Sequence, residues 1–286
     1  MTLFQKKTQF SLLLQNIYPK NEAESITGIV FQELLKLSST EIKTKKDLVL
    51  DDELNAQLDS ILSRLYKKEP VQYILGITYF YNLKFAVNQG VLIPRRETEE
   101  LVDLIIKQNN KKQPKILDIG TGSGCIAVTL KKNIPQASVF AIDKSENAVN
   151  TAKQNALSNL KIDKKDKFLV RDIFDESWWS TLTQFDIIAS NPPYVTEDEK
   201  SLMHANVLDY EPAEALFVSN ENPLTYYKTI ADFALKSLNN KGLLYFEINE
   251  AFGNEVKNLL TDKGYSNATI YKDMQGKDRI VSATKA

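Results

Sequence analysis

The 286-residue chain has one cysteine, Cys125, and one histidine, His204. A single cysteine rules out an internal disulfide, and two such residues cannot assemble a Cys/His zinc site, so no metal centre is expected. Ser–His–Asp or Cys–His catalysis would rest wholly on His204. An excess of charge is also missing: 36 Lys+Arg stand against 37 Asp+Glu, with ten of each up to residue 75. Neither part of the chain has the basic surplus of a protein that grips phosphates non-specifically, which disfavours a nucleic-acid substrate. No apolar run reaches the ~18 residues of a membrane span. The N-terminal MTLFQKKTQF lacks the apolar stretch and small-residue cleavage site of a signal peptide. The expectation is a cytoplasmic protein without membrane contact.

What is present is ordinary globular composition, 43% hydrophobic and 26% charged, at a length that suggests two domains. Up to residue 75 the apolar residues recur at helical spacing. Leu54, Leu58, Ile61, Leu62 and Leu65 share one face of a helix opening at Asp51-Asp52-Glu53, and earlier stripes break near Pro19 and Ser38-Ser39. Residues 1–75 therefore read as a small all-α domain. Residues 76–96 carry aromatic and β-branched residues with turn-formers at Asn82 and Asn88-Gln89-Gly90, and read as a β-hairpin linker. A helix from about Thr98 to Lys107 opens residues 97–286, its first turn suited by Glu97, Glu99, Glu100 and Asp103. Beyond Pro114, strands (KILDIG, SVFAID, KFLVRD, FDIIAS, GLLYFEIN) alternate with helices, which implies an α/β domain with a parallel sheet covered on both faces. The closing runs ATIYKDM and DRIVSAT, parted by Gln275-Gly276-Lys277, read as an antiparallel pair.

The first of these strands ends at Asp118, and Gly120-Thr121-Gly122-Ser123-Gly124 opens the next helix. Three glycines in five residues let the backbone turn tightly and approach a ligand at a helix N-terminus, beyond the carboxyl ends of the strands. Gly122, Gly124 and Ala127 also satisfy the permissive dinucleotide fingerprint, so the loop alone admits a nicotinamide dehydrogenase. Asp143 ends the next strand, where an acid holds ribose hydroxyls. Asp118 separates the two readings: an acid facing the loop ligand suits the ammonium and sulfonium of S-adenosylmethionine better than a pyrophosphate. Asp172, ending KFLVRD, stands where an adenine amino group is expected.

Asn191-Pro192-Pro193-Tyr194 follows the strand FDIIAS directly. Two prolines remove two backbone donors and fix φ twice, so the chain leaves the sheet on a stiff path. That path sets the Asn191 side-chain oxygen and the Pro192 carbonyl as convergent acceptors for a planar amino group, with Tyr194 as a flat face to stack on it. A nitrogen held in this way could attack an electrophilic methyl. Such chemistry needs orientation and charge stabilisation rather than a metal or strong base, which fits a chain almost without His and Cys.

The glycine loop, Asp143 and NPPY together resemble class I amino-methyltransferases. EPVQYILG at 69–76, LIPRRETEELV at 92–102 and YEPAEAL at 210–216 narrow the resemblance to the protein glutamine methyltransferases that modify peptide chain release factors, the PrmC/HemK family. It runs from about residue 69 to the C-terminus. The resemblance implies a Rossmann-like class I domain with a seven-stranded, mostly parallel sheet. It also implies S-adenosyl-L-methionine as cofactor and S-adenosyl-L-homocysteine as product. Contacts to the cofactor are implied for Gly120–Gly124, Asp143 and Ile173, the residue after Asp172. The substrate glutamine, from the Gly-Gly-Gln motif of class I release factors, would lie at Asn191–Tyr194. Where some members have an aromatic residue packing on adenine this chain has Ile173, with Phe174 beside it. Glu247-Ile248-Asn249 stands where an acid closely followed by glycine is expected, a departure assigned to fine cofactor contacts.

Arg95, Arg96, Glu97 and Glu100 read equally well as surface charges at a helix start and as a segment that lines the cofactor entrance and orders the NPPY turn. Residues 195–222 read as an aperiodic connection folding over the substrate, anchored at Tyr210-Glu211-Pro212, with His204 solvated on it. Trp178-Trp179 read as packing residues. The expected enzyme is a monomer that methylates protein. An adenine amino-methyltransferase and a non-catalytic cofactor-binding protein are the rival readings.

Overall fold

In the computed structural model, which describes residues 1–161 and 164–286, the N-terminal stripes form α1 (Leu3–Leu14), α2 (Lys20–Leu35), α3 (Ser39–Thr44), α4 (Asp52–Tyr66) and α5 (Val71–Leu75). Caps written in the sequence start several of them. Thr2 and Gln5 make a reciprocal capping box on α1, and the Asp51 carboxylate accepts from the Leu54 amide at 2.8 Å to open α4. Leu58, Ile61 and Leu65 then meet Phe10, Leu14, Val30 and Phe31 in one core, where Phe10 and Phe31 pack edge to face. Glu69, at the start of EPVQ, is buried and grips Arg64 through two hydrogen bonds of 2.7 and 2.5 Å. These helices group with His204–Tyr210 as one compact unit; Ile77–Met203 and Glu211–Ala286 form a second.

The larger unit opens with the hairpin β1 (Ile77–Phe80) and β2 (Leu83–Ala86), whose turn residues Tyr81 and Asn82 both take positive φ. The segment expected to link two domains is grouped from Ile77 onward with this unit. Phe80 and Phe85 sink into its core, and Asn155 closes a two-way hydrogen bond with the Ala86 backbone. Helix α6 (Arg96–Gln108) follows, then β3 (Lys115–Ile119), α7 (Cys125–Asn133), β4 (Ser138–Asp143), α8 (Glu146–Asn159), β5 (Lys167–Val170) and β6 (Phe185–Ser190). After the short β7 (Val195–Thr196), α9 (Ala205–Tyr210) and β8 (Phe217–Val218) come α10 (Thr225–Ser237), β9 (Leu238–Glu247), α11 (Gly253–Asp262), β10 (Tyr265–Lys272) and β11 (Asp278–Lys285).

The main sheet has seven strands in the order β10-β11-β9-β6-β3-β4-β5. Neighbours from β9 to β5 are parallel, and β11 lies antiparallel between β9 and β10. The parallel part is what the alternating pattern implies, and seven strands in this mostly parallel, Rossmann-like order are what the resemblance to class I methyltransferases implies. β3 and β4 are apolar on both faces because helices cover both. The chain runs outward through β4 and β5 and returns to β6 on the other side of β3. The crevice where ligands bind in such sheets therefore opens at the carboxyl ends of β3 and β6.

Three expectations change. β5 stops at Val170, so Asp172 lies beyond the strand and turns its own loop by accepting from the Phe174 amide at 2.9 Å. β9 begins at Leu238 rather than near Gly242, through a register shift with Lys241 at positive φ. Residues 195–222 are built of short elements rather than aperiodic chain, with 3-10 turns at Glu197–Leu202 and Ala213–Ala215 beside β7, α9 and β8. No described helix is long and apolar enough to cross a membrane.

Candidate active site

β3 and β6 pair with Ile119 opposite Ser190, and the Ser190 hydroxyl donates to the Ile119 carbonyl at 2.7 Å. The loops that follow the two strands therefore start side by side. Gly120–Ser123 and Asn191–Pro193, predicted separately from sequence, border one cavity of about 420 Å³, while Gly124 lies off its wall. Its volume lies in the ~300–1,000 Å³ range of small-molecule sites. Asp143, Asp172 and Ile173 line it too.

The glycine loop is fixed by backbone conformation. Gly120, Gly122 and Gly124 take φ of 71°, 54° and 81°, values that side chains of L-residues rarely adopt. Gly124 is also hemmed in, since a Cβ there would stand 2.9 Å from that of Ala152; Gly122 has open space instead. Asp143 holds the loop from the side, accepting from the Gly122 amide and the Ser145 amide at 2.9 Å each. Burial raises its pKa, against the pull of those two hydrogen bonds.

Asp118 is not among the residues that line the cavity, contrary to the expectation that it faces the loop ligand. It is fully buried beneath the loop, where one oxygen, Oδ2, accepts from Thr121 Oγ1 at 2.6 Å and from the Ala127 amide at 3.2 Å. Its Oδ1 has no hydrogen-bond partner among the described residues, and burial pushes its pKa up to about 7. Phe174 does not line the cavity either; it packs edge to face on Tyr226, which does. Tyr194 also lies off the cavity wall, and His204 is exposed at the start of α9.

The Asn191 turn is held by side chains. Its amide nitrogen donates to Thr98 Oγ1 at 3.2 Å, and that hydroxyl donates to Glu247 Oε2 at 2.7 Å. The Tyr194 hydroxyl reaches the other oxygen of Glu247 at 3.1 Å, and Tyr227 donates to its backbone carbonyl. Glu247 is fully buried at the end of β9, behind Asn191 rather than on the cavity wall. Burial raises its pKa, while Thr98, Tyr194 and the charge of Arg279 act the other way. Beyond the turn, the amides of Tyr194 and Val195 both donate to the Leu216 carbonyl, and β7 pairs with β8. Glu211, also buried, accepts from the Ile93 amide at 3.2 Å and pairs with Arg95 at 2.5 Å, tying YEPAEAL to LIPR. Leu92, Pro94, Arg95 and Thr98 line the cavity.

Sequence reasoning gave Thr98 no role of its own and tied Glu247, in the segment 247–249, to fine cofactor contacts; the structure instead joins both to the Asn191 turn. Trp178 and Trp179 are buried and pack against Phe233, as expected of packing residues. Among the described residues no cluster of His, Cys, Asp and Glu could hold a metal ion.

The residues present fit a cofactor with an apolar plane, hydroxyls and amino groups. Ile119, Ile142, Ile173 and Ile230 give apolar wall, while Asp143 and Asp172 give acceptors. The open face of Gly122 leaves room for a ligand at the loop.

Fold and site together define a methyltransferase. The Methyltransferase small domain model matches residues 96–221, and the PrmC N-terminal domain model matches residues 8–76. The chain is 45% identical over 279 residues to a release factor glutamine methyltransferase of Flavobacterium psychrophilum, covering 96% of each chain. It is 44% identical to one of Bacteroides thetaiotaomicron, over 95% of this chain and 96% of that one. Among solved structures, a methyltransferase from Pyrococcus furiosus shares the fold at 18% identity, with a TM-score of 0.52 over 80% of this chain and 99% of that one. The chain belongs to the release factor glutamine methyltransferase family.

Proposed function

We propose that this chain transfers a methyl group from S-adenosylmethionine to the side-chain amide nitrogen of a glutamine in class I peptide chain release factors. The product cofactor is then S-adenosylhomocysteine. The observation that carries the reading is the hydrogen bond from Asn191 Nδ2 to Thr98, which leaves Asn191 Oδ1 as an acceptor beside the glycine loop. An acceptor suits an incoming NH2 group; a second donor would repel it.

S-adenosylmethionine, when bound, supplies an electrophilic methyl on a sulfonium sulfur. The backbone of Gly120–Ser123 would hold its amino-acid end, with Asp118 bracing that loop from beneath. Asp143 would accept from ribose hydroxyls and Asp172 from the adenine amino group, with Ile173 and Tyr226 as apolar wall for the ring. Asn191 Oδ1 and the Pro192 carbonyl hold the glutamine amide through its two N–H groups. Pro192 and Pro193 keep that pair of acceptors from shifting, and Tyr194 fixes the turn through Glu247. The nitrogen would gain a methyl as the carbon–sulfur bond breaks with its electron pair left on sulfur, and give up one proton to water; both acceptors are neutral, and orientation does the work a base would do elsewhere. On this reading the enzyme acts as a cytoplasmic monomer on protein rather than nucleic acid, which the even charge balance favours.

Incubation with radiolabelled S-adenosylmethionine and either a release factor or DNA and RNA tests the proposal. Label is expected on the release factor. Label on adenine would replace the substrate, and label on neither would leave a cofactor-binding protein without transfer activity.

A further inference from the structure

We propose that Glu247 is a positioning residue for the transfer: through the Thr98 hydroxyl it sets the direction of hydrogen bonding at Asn191, so that the side-chain oxygen and not the NH2 group faces the substrate amide. This rests on the glutamine-amide reading above and deepens it.

The argument is one of donor and acceptor counts. An asparagine amide can present either end, and only its partners decide which. Thr98 is buried and its hydroxyl carries one proton. That proton goes to Glu247 Oε2 at 2.7 Å, and an ionised carboxylate can only accept. The Thr98 oxygen is therefore left with lone pairs toward Asn191, whose nearer end must be the NH2 group, at 3.2 Å. The second carboxylate oxygen is occupied by the Tyr194 hydroxyl at 3.1 Å, so Glu247 is held from both sides. Glu247 itself is fully buried off the cavity wall and cannot touch substrate. Its place follows from the sheet: β9 lies beside β6, with Phe246 opposite Ser190, which sets Glu247 next to Asn191. A buried carboxylate costs stability unless it is well partnered. Here its partners are the turn and the hydroxyl that orient the reacting group.

The relay can be reversed by exchanging its ends. In Asn191→Asp an oxygen replaces the NH2 group and confronts the Thr98 lone pairs, and turnover should fall about 10²-fold. Adding Glu247→Gln lets the new amide nitrogen donate to Thr98, frees the Thr98 proton for the carboxylate introduced at position 191, and keeps an oxygen for Tyr194. The double variant should regain at least about tenfold over Asn191→Asp in kcat, the scale of one recovered hydrogen bond to a charged group. Affinity for S-adenosylmethionine should stay within a few-fold in both variants. A double variant no better than Asn191→Asp would overturn the proposal.

A second pair guards against a variant that fails to fold. Thr98→Val removes the hydroxyl at nearly constant volume and should lower kcat by about tenfold or more, while Thr98→Ser restores it; equal kcat in the two would also overturn the proposal. The relay is present in the ligand-free chain, so thermal unfolding without substrate should show the same rescue of Asn191→Asp by Glu247→Gln. That measurement separates the two claims. A wild-type protein that methylates no glutamine sinks the assigned reaction, whereas absence of rescue in unfolding sinks the relay.

Discussion

The two loops that meet in the cavity are held by opposite means. Gly120–Gly124 is fixed through its backbone: three left-handed glycines, with Asp143 accepting from a loop amide and Asp118 from the first turn of α7. Asn191–Tyr194 is fixed through side chains and prolines, with Asn191 donating to Thr98, and Thr98 and Tyr194 both donating to Glu247. The first arrangement shapes a surface through backbone conformation and tolerates little added bulk at Gly124. The second sets which atom of one residue faces the cavity. Cofactor binding and methyl transfer should therefore fail separately.

The largest expected effect lies on the side-chain loop. Asn191→Ala removes one of two acceptors and should cut single-turnover rate by roughly 10²–10³, the scale of one lost transition-state contact. Cofactor affinity, measured by equilibrium dialysis, should barely change. A comparable loss of affinity would show that the loops are not separable.

On the backbone loop the effect should appear as stability. Gly124→Ala combines φ of +81° with a Cβ placed 2.9 Å from that of Ala152. Left-handed strain of about 1–2 kcal/mol and overpacking of about 1–3 kcal/mol should both register in urea unfolding. Gly122→Ala meets nothing within 4 Å and should show the strain alone. Equal losses at the two glycines would contradict the packing argument.

A further difference concerns pH. Asp118 has a folded pKa of about 7 against an ordinary value of 3.8, because burial favours its neutral form. A raised carboxyl pKa gives stability that is complete below the unfolded value and lost as pH rises through the folded one. Asp118→Asn keeps an oxygen where Oδ2 accepts both of its hydrogen bonds, and puts NH2 where Oδ1 has no partner among the described residues. The variant should gain stability relative to wild type as pH rises from about 4 to about 7, read as a widening difference in urea midpoints. Parallel profiles would place the Asp118 pKa near its unfolded value.

The sheet was legible because its strands and helices are long enough to show their periods, and because the order of the loops follows from strand alternation. The glycine loop and NPPY were legible because each packs its chemistry into four or five consecutive residues. Thr98 and Glu247 stand 149 positions apart, and each looks ordinary alone, a threonine in a first helical turn and an acid ending a strand. The pairing of β9 with β6 brings Glu247 to Asn191, and α6 sets Thr98 between them. The segment 195–222 looked aperiodic because its elements span two to six residues, below the window in which periodicity can register. Asp118 looked like a ligand-facing acid because its place along the strand is visible in sequence, whereas the burial of its side chain is not.

The central claim is that the acceptors at Asn191 and Pro192 receive a glutamine amide. Mass spectrometry of a release factor after incubation with the protein and S-adenosylmethionine tests it most directly. A single methyl on the side-chain nitrogen of the glutamine in its Gly-Gly-Gln motif is the predicted result; a methyl on any other residue, or none with wild-type protein that binds the cofactor, would contradict it.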